Sequence, residues 1–246
     1  MPVSAMIIQE LFSLGTLSAI SISGNFGSLS AFVRVLSRCS TSITDVSFCS
    51  VRTPFNSLPS SIRHSSDRTI EIKALDLWWS TDIHDWLNSA ECLFDFSNLK
   101  RLRLNENTSL PHWAAFAPAI PRVEHLQFQP QLTGLNAIDL ALFTSLKCVE
   151  IFIEFRDDVS SALDTLSTMA AANQIQTIRF RLTHSTMPTA ESGAEIDRRL
   201  IALPMPHLQA VELVYISSLP TSVAANMPLL HARRLVRALH GSSTYD

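Results

Sequence analysis

The sequence predicts an α/β fold in which a parallel sheet lines one side of a stacked array and helices line the other. Three observations predict it: an apolar triplet that recurs eight times, helical apolar spacing between the copies, and a composition rich in core residues but poor in glycine and charge. The chain has 246 residues, 46% hydrophobic and 17% charged, with six glycines and a net charge of −3. A chain of this kind can fill a core, which excludes disorder as its main state. The glycine shortage argues against folds that cradle phosphate in glycine-rich loops. The nearly balanced charge exerts no long-range pull on nucleic acid or anionic lipid.

The triplets are Leu17, Ile20, Ile22; Ile43, Val46, Phe48; Ile72, Leu75, Leu77; Leu99, Leu102, Leu104; Val123, Leu126, Phe128; Leu146, Val149, Ile151; Ile175, Ile178, Phe180; and Leu208, Val211, Leu213. They start at 17, 43, 72, 99, 123, 146, 175 and 208, so the intervals are 26, 29, 27, 24, 23, 29 and 33. All but the last lie within the period of about 20–29 residues that marks leucine-rich repeats. Leu99 to Asn107 matches the full pattern L-x-x-L-x-L-x-x-N, and so does Leu17 to Asn25, with Asn25 where an asparagine caps the turn after the strand. Two apolar residues at i and i+2 read as one face of a short strand.

The first sixteen residues carry Ile7, Leu11 and Leu14 at helical spacing and predict a short lid. Return helices are predicted from Leu29, Phe32, Val33 and Leu36, from Ile83, Trp86, Leu87 and Ala90 after Asp82, and from Val159, Leu163, Leu166 and Met169. Asp157 and Asp158 ahead of the last suit a helix cap better than acid–base chemistry. Between Leu110 and Ile120, Pro111 and Pro118 leave room for a turn or two. At the C-terminus, Asn226 as cap, Pro228 in the first turn, Leu230, Leu235, Val236 and Leu239 on one side, and Gly241 as stop predict a capping helix. One unit cannot bury its apolar edge, whereas stacked units can. The expectation is therefore a single leucine-rich-repeat solenoid over 1–246, a horseshoe with the sheet concave and the helices convex. A lid occupies 1–16, the repeats 17–218, and the capping helix and tail 219–246.

Three stretches carry a resemblance: Phe96-Ser97-Asn98-Leu99-Lys100-Arg101-Leu102-Arg103-Leu104, Ile120-Pro121-Arg122-Val123-Glu124-His125-Leu126, and Met205-Pro206-His207-Leu208-Gln209-Ala210-Val211-Glu212-Leu213. They resemble the leucine-rich-repeat region of fungal F-box proteins. In the last two a proline stands two residues before the first strand position, where it fixes an extended approach and cannot continue a helix. The resemblance implies a protein-binding module for target recognition by a cullin-type ubiquitin ligase. In that family the F-box holds the adaptor and the repeats hold the target. No F-box is recognised here, and Leu58-Pro59-Ser60-Ser61-Ile62 reads as a loop and short turn between strands. A ligase adaptor is thus expected only if an F-box stands upstream, and the alternative is a free-standing repeat scaffold with no ubiquitin-ligase link.

The chain lacks H-E-x-x-H, G-x-S-x-G, G-x-G-x-x-G and G-x-x-x-x-G-K-[ST]. His84 and Asp85 are sequence neighbours that do not share a helix face. The chain is expected not to be an enzyme and to use no cofactor or metal. Cys39, Cys49, Cys92 and Cys148 show no C-x-x-C spacing and are expected to be buried free thiols. Glu10 interrupts the apolar stretch from Met6 to Leu14, and no basic segment of a secretory signal precedes it, so a soluble cytoplasmic or nuclear protein without membrane contact is expected. The sequon Asn107-Thr108-Ser109 is then expected to stay unmodified.

Strand alternation points one column to the concave side: Ser21, Ser47, Asp76, Arg103, Gln127, Glu150, Arg179 and Glu212. With strands about 4.8 Å apart, Asp76 can meet Arg103, and Arg179 can meet Glu150 and Glu212. The next column reads Ser23, Cys49, Trp78, Asn105, Gln129, Phe152, Arg181 and Val214 and puts large apolar groups on the open side. Trp78 and Trp79 are expected to face opposite ways. The candidate partner-binding residues are Trp78, Arg103, Gln127, Glu150, Phe152, Arg179 and Arg181, with Trp78 and Phe152 as exposed anchors. Arg101, Arg103, Arg179 and Arg181 are interrupted by His125, Gln127, Cys148 and Glu150 and make a poor nucleic-acid track.

Overall fold

A computed structural model describes residues 10–53, 69–90, 92–105, 116–130, 138–154, 158–182, 190–215 and 226–240. The chain is α/β, with parallel strands throughout and few helices, and it divides into two compact units, Met1–Ile120 and Pro121–Asp246. In the first unit β1 (Ala19–Asn25), β2 (Asp45–Arg52), β4 (Ala74–Trp78) and β6 (Arg101–Asn105) lie side by side in that order, all parallel. A second small ladder pairs β3 (Ile70–Glu71) with β5 (Phe94–Asp95). In the second unit β7 (His125–Phe128), β8 (Cys148–Ile153), β9 (Thr177–Leu182), β10 (Ala210–Tyr215) and β11 (Val236–His240) follow the same rule.

The recurring triplets fall into these strands in register. Ile20, Val46, Leu75 and Leu102 are paired neighbours in the first unit, and so are Ile22, Phe48, Leu77 and Leu104. Leu126, Val149, Ile178 and Val211 form the equivalent row in the second unit, beside Phe128, Ile151, Phe180 and Leu213. All sixteen are buried, as a fully covered sheet face requires. A forked bond recurs at the entry of most of these strands. The Thr44 carbonyl accepts N–H groups of Lys73 and Ala74 at 2.8 and 3.1 Å, and the Lys73 carbonyl accepts those of Lys100 and Arg101 at 2.8 and 3.0 Å. In the second unit the carbonyls of Glu124, Lys147 and Gln176 do the same for the next copy.

Three strand exits share a positive φ. Gly24 (φ 125), Ser50 (φ 53) and Trp79 (φ 49) each stand two residues after the last inner apolar position of their repeat. The β1–β2 register shifts there, between Ser23 and Gly24. The turn closes on Ser80, whose hydroxyl donates to a carbonyl, with Phe48 O at 3.1 Å and Trp78 O at 3.0 Å, and accepts the Val51 N–H at 3.1 Å. Asn25, expected to cap its turn, is instead exposed. At that exit the register shift beside Gly24 and the Phe26 N–H, which donates to the Arg52 carbonyl at 2.8 Å, tie the chain to β2, and Ser80 serves the exits of β2 and β4. Asn107 lies outside the described residues.

The helix Leu29–Leu36 begins at Ser28, whose hydroxyl accepts the Ala31 N–H, and buries Phe32, Val33 and Leu36 as its spacing predicts. The second return segment is shorter than its apolar period suggests: a 3₁₀ turn Thr81–Ile83 leads into the helix His84–Leu87, and Ala90 is exposed. Asn88 ends it by donating its side-chain amide to the His84 carbonyl at 2.9 Å. Between these helices and the sheet runs an aromatic chain. Phe32 meets Phe48 and Trp86 at centroid distances of 5.6 and 5.4 Å, Trp86 meets Phe94 at 5.8 Å, and Phe96 meets Phe116 at 4.9 Å.

In the second unit the helix Asp158–Ser167 buries Ala162, Leu163 and Leu166. Asp158 is buried and accepts the Glu154 N–H at 2.9 Å; Asp157 lies outside the described residues. Asn173 holds neighbouring repeats together by donating to the Leu140 and Phe143 carbonyls at 3.0 and 3.1 Å while accepting the Ala170 N–H. The helix Ala190–Ala202, which the apolar spacing does not single out, explains the longest interval. It holds buried Asp197, whose carboxylate accepts the N–H groups of Leu229 and Leu230 at 2.8 and 2.7 Å. That is a helix cap delivered from another helix. Gly193 lies where a Cβ would stand 2.9 Å from both Cβ and O of Asn226. Gly→Ala ordinarily stabilises a helix by about 0.5–1 kcal/mol. Here Gly193→Ala is expected to destabilise by about 1–3 kcal/mol through overpacking, and a rise in the urea midpoint would show that the two segments can part.

The C-terminal capping helix is corrected. Among the described residues the helix over this stretch is Pro228–Ala232, with Leu230 buried and Met227 instead of Asn226 at its N-cap, and Val236–His240 is a strand paired in parallel with β10. Arg234 at φ 57 ends the helix, with Arg234 N–H donating to His231 O and Leu235 N–H to Leu230 O. This Schellman pattern turns the chain out of the helix. The N-terminal lid also differs: Leu11 and Leu14 are exposed, and the Phe12 carbonyl, which accepts the Ser40 N–H at 2.7 Å, makes the tie. Ile7, Pro111, Gly241 and the stretch Leu58 to Ile62 lie outside the described residues.

Candidate functional site

The sheet face opposite the helices carries the polar column. In the first unit Arg103 donates to Asp76 at 3.2 Å, and its guanidinium lies 5.3 Å from the Trp78 ring centroid. Trp78 is half-buried and Trp79 is 52% exposed. The left-handed backbone at Trp79 brings the two rings to 5.9 Å, so they meet instead of facing opposite ways as strand alternation predicted. A bulky residue with positive φ is an uncommon, strained state. Asn105 follows Trp78 in register on β6, and Arg101 reaches Asp45 at 3.5 Å across two strands.

Asp76 shows what half-burial does to this charge. Burial pushes its carboxyl above the ordinary 3.8, against the opposing pull of Arg103. The folded chain therefore holds that proton to higher pH than the unfolded chain does. Its ionised form works against the fold at neutral pH, and the penalty fades as pH falls through the raised value toward 3.8. Asp76→Asn keeps an acceptor for Arg103 without the charge. It is expected to raise Tm at pH 7 by about 1–3 °C and to lessen the gain on acidification. A lower Tm at pH 7 would show that attraction to Arg103 outweighs burial.

In the second unit Arg179 stands between two carboxylates, 2.8 Å from Glu150 and 2.7 Å from Glu212. Arg181 approaches the other oxygen of Glu150 at 2.7 Å. Burial works against the Arg179 charge, but the bonds to Glu150 and Glu212 outweigh it and raise its pKa. Cys148, two residues before Glu150 in sequence, has its thiol pKa raised mainly by burial, with Arg179 opposing. Gln127 is half-buried in register with Glu150, and Gln129 donates to Glu154 at 2.9 Å.

The structure thus brings together Arg103 with Trp78, and Glu150 with Arg179 and Arg181. Phe152 departs from the expectation of an exposed anchor: it is 5% exposed in a strand whose last five residues are all buried. Trp79, which strand alternation only set opposite Trp78, is the exposed large aromatic among the described residues; its conformation after the strand end reveals this. Elsewhere, His84 is buried while Asp85 is exposed. All four cysteines are free; Cys39 is buried, the others are half-buried, and burial pushes the thiols of Cys39 and Cys92 up to about 12. Among the described residues no group of three His, Cys, Asp or Glu side chains could hold a metal ion, and no helix is long and apolar enough to cross a membrane. No protein-family model, no curated protein and no solved structure matches the chain.

Proposed function

We propose that the chain is a non-enzymatic protein-interaction module, a leucine-rich-repeat solenoid that takes a protein partner on its concave sheet face. The observation that carries this reading is the contrast between the two sheet faces. One is filled by the apolar rows; the other presents Arg103, held by Asp76, beside the Trp78 and Trp79 pair in the first unit, and Arg179, held by Glu150 and Glu212, in the second. Guanidinium groups already held by carboxylates lose little side-chain entropy on contact, and Trp and Arg are the side chains that dominate binding energy at interfaces. The resemblance to F-box proteins gives the module its place, as the target-recognition part of a ubiquitin-ligase receptor in the cytoplasm or nucleus.

The test is affinity capture with the wild-type chain beside Trp79→Ala and Arg181→Ala, two face variants whose melting curves are recorded in parallel. Partners lost from the variants at unchanged Tm support binding through this face. Partners retained in full by both variants would overturn it. Recovery of a ligase adaptor favours target recognition, whereas stable partners without an adaptor favour a free-standing scaffold.

A further inference from the structure

The last strand has a strand neighbour on one side only among the described residues. The Leu235 carbonyl accepts the Val211 N–H at 2.7 Å, which ties β11 to β10. Alternation along the strand then turns the N–H and C=O groups of Val236 and Ala238 away from β10, toward the open edge. The apolar rows stop at these same two residues. Val236 is in register with buried Val211 and Ala238 with buried Leu213, yet Val236 is half-buried and Ala238 exposed. Between them Arg237 continues the charged column, in register with Glu212, whose carboxylate is taken by Arg179 at 2.7 Å. Arg237 is exposed, with exposed Arg233 and Arg234 near it in sequence. The column therefore alternates Glu150, Arg179, Glu212, Arg237 and ends on a positive charge.

We propose that β11 is a docking edge for an extended segment of a partner protein that adds as one more strand and carries an acidic residue between two apolar ones. The added strand's main chain would meet the free groups of Val236 and Ala238, its apolar residues would extend the two rows, and its carboxylate would face Arg237. Main-chain bonds give such strand addition its affinity, and side chains give it specificity. The required pattern, apolar–acidic–apolar, is the same read in either direction. A second copy stacked head to tail fits less well, because its β1 would offer Ile20, Ser21 and Ile22 and set a serine opposite Arg237. This inference stands apart from the sheet-face reading, since it uses other residues and another geometry.

The experiment titrates the whole chain into fluorescein-labelled heptapeptides centred on Val-Glu-Val or Val-Lys-Val and reads anisotropy at low salt. The glutamate peptide is expected to bind at least about tenfold more tightly, a difference within reach of one facing charge pair. Arg237→Glu, a change at an exposed position, is expected to reverse the preference. Ala238→Pro removes one outward N–H at a kind of position where edge strands tolerate proline and is expected to abolish binding with little change in the melting curve. Should that variant fail to fold, Arg237→Glu alone decides. Equal binding of both peptides, no binding up to about 1 mM, or a preference unchanged by Arg237→Glu overturns the proposal. A concentration-dependent dimer in sedimentation that the glutamate peptide cannot dissociate would assign the edge to a second copy and overturn it as well.

Discussion

Trp86→Ala is expected to lower the unfolding free energy by about 3–5 kcal/mol, the largest effect of any single substitution considered for this chain. Trp86 is 1% exposed and lies at the centre of the first unit's aromatic chain, edge to face with Phe32 at 5.4 Å and with Phe94 at 5.8 Å. The truncation removes the indole's burial and leaves a cavity whose walls are other large rings. Those rings belong to a strand and a helix fixed by their own bonds, so collapse into the space is limited. Trp86→Phe retains an aromatic partner and is expected to lose less than half as much. The measurement is urea unfolding followed by far-ultraviolet circular dichroism. The two compact units need not unfold together, so the transition is fitted as two steps where two are seen. A loss near 1 kcal/mol for Trp86→Ala would mean that the surroundings close over the gap.

The second large effect belongs to the charged column. Arg179→Ala is expected to lower stability by about 2–3 kcal/mol, less than the 3–5 kcal/mol typical of a fully buried pair broken on one side, because a third of the Arg179 side chain reaches solvent. The two carboxylates do not lose equally. Glu150 keeps Arg181 at 2.7 Å, whereas Glu212 loses both of its bonds, from Nε at 2.8 Å and from the terminal nitrogen at 2.7 Å. Adding Glu212→Gln to Arg179→Ala is therefore expected to restore more stability than adding Glu150→Gln. A double-mutant cycle reads this directly. Equal rescue by the two would place the cost in lost packing of the arginine stem instead of in the orphaned charge.

Both effects could be located from the sequence, though not sized. Trp86 stands at a predicted buried helix position, and the Glu150, Arg179, Glu212 order follows from aligning one position of each repeat. Strand alternation is a local property, and a repeat of nearly constant length sets the register between strands, so pairs 29 or 33 residues apart become neighbours. The departures have another origin. Trp79 lies just past a strand end, where alternation stops and a positive φ redirects the ring. Phe152 obeys alternation yet is buried, which a single-strand pattern cannot register.

The sequence by itself determined the positions of the eight strands that carry the triplets, their parallel order within each unit, the apolar rows and the ion-pair neighbours, because each follows from a two-residue alternation repeated at a steady interval. Only the tertiary structure decided that Ser80 ties the exits of β2 and β4 together, that Asp197 caps a helix 32 residues away, and that Val236–His240 is a strand. These outcomes depend on which donors and acceptors a distant segment leaves unmatched. Leu235, Val236 and Leu239 fit a helix by apolar spacing, but the open edge of β10 offered the backbone a partner that an isolated helix turn could not supply.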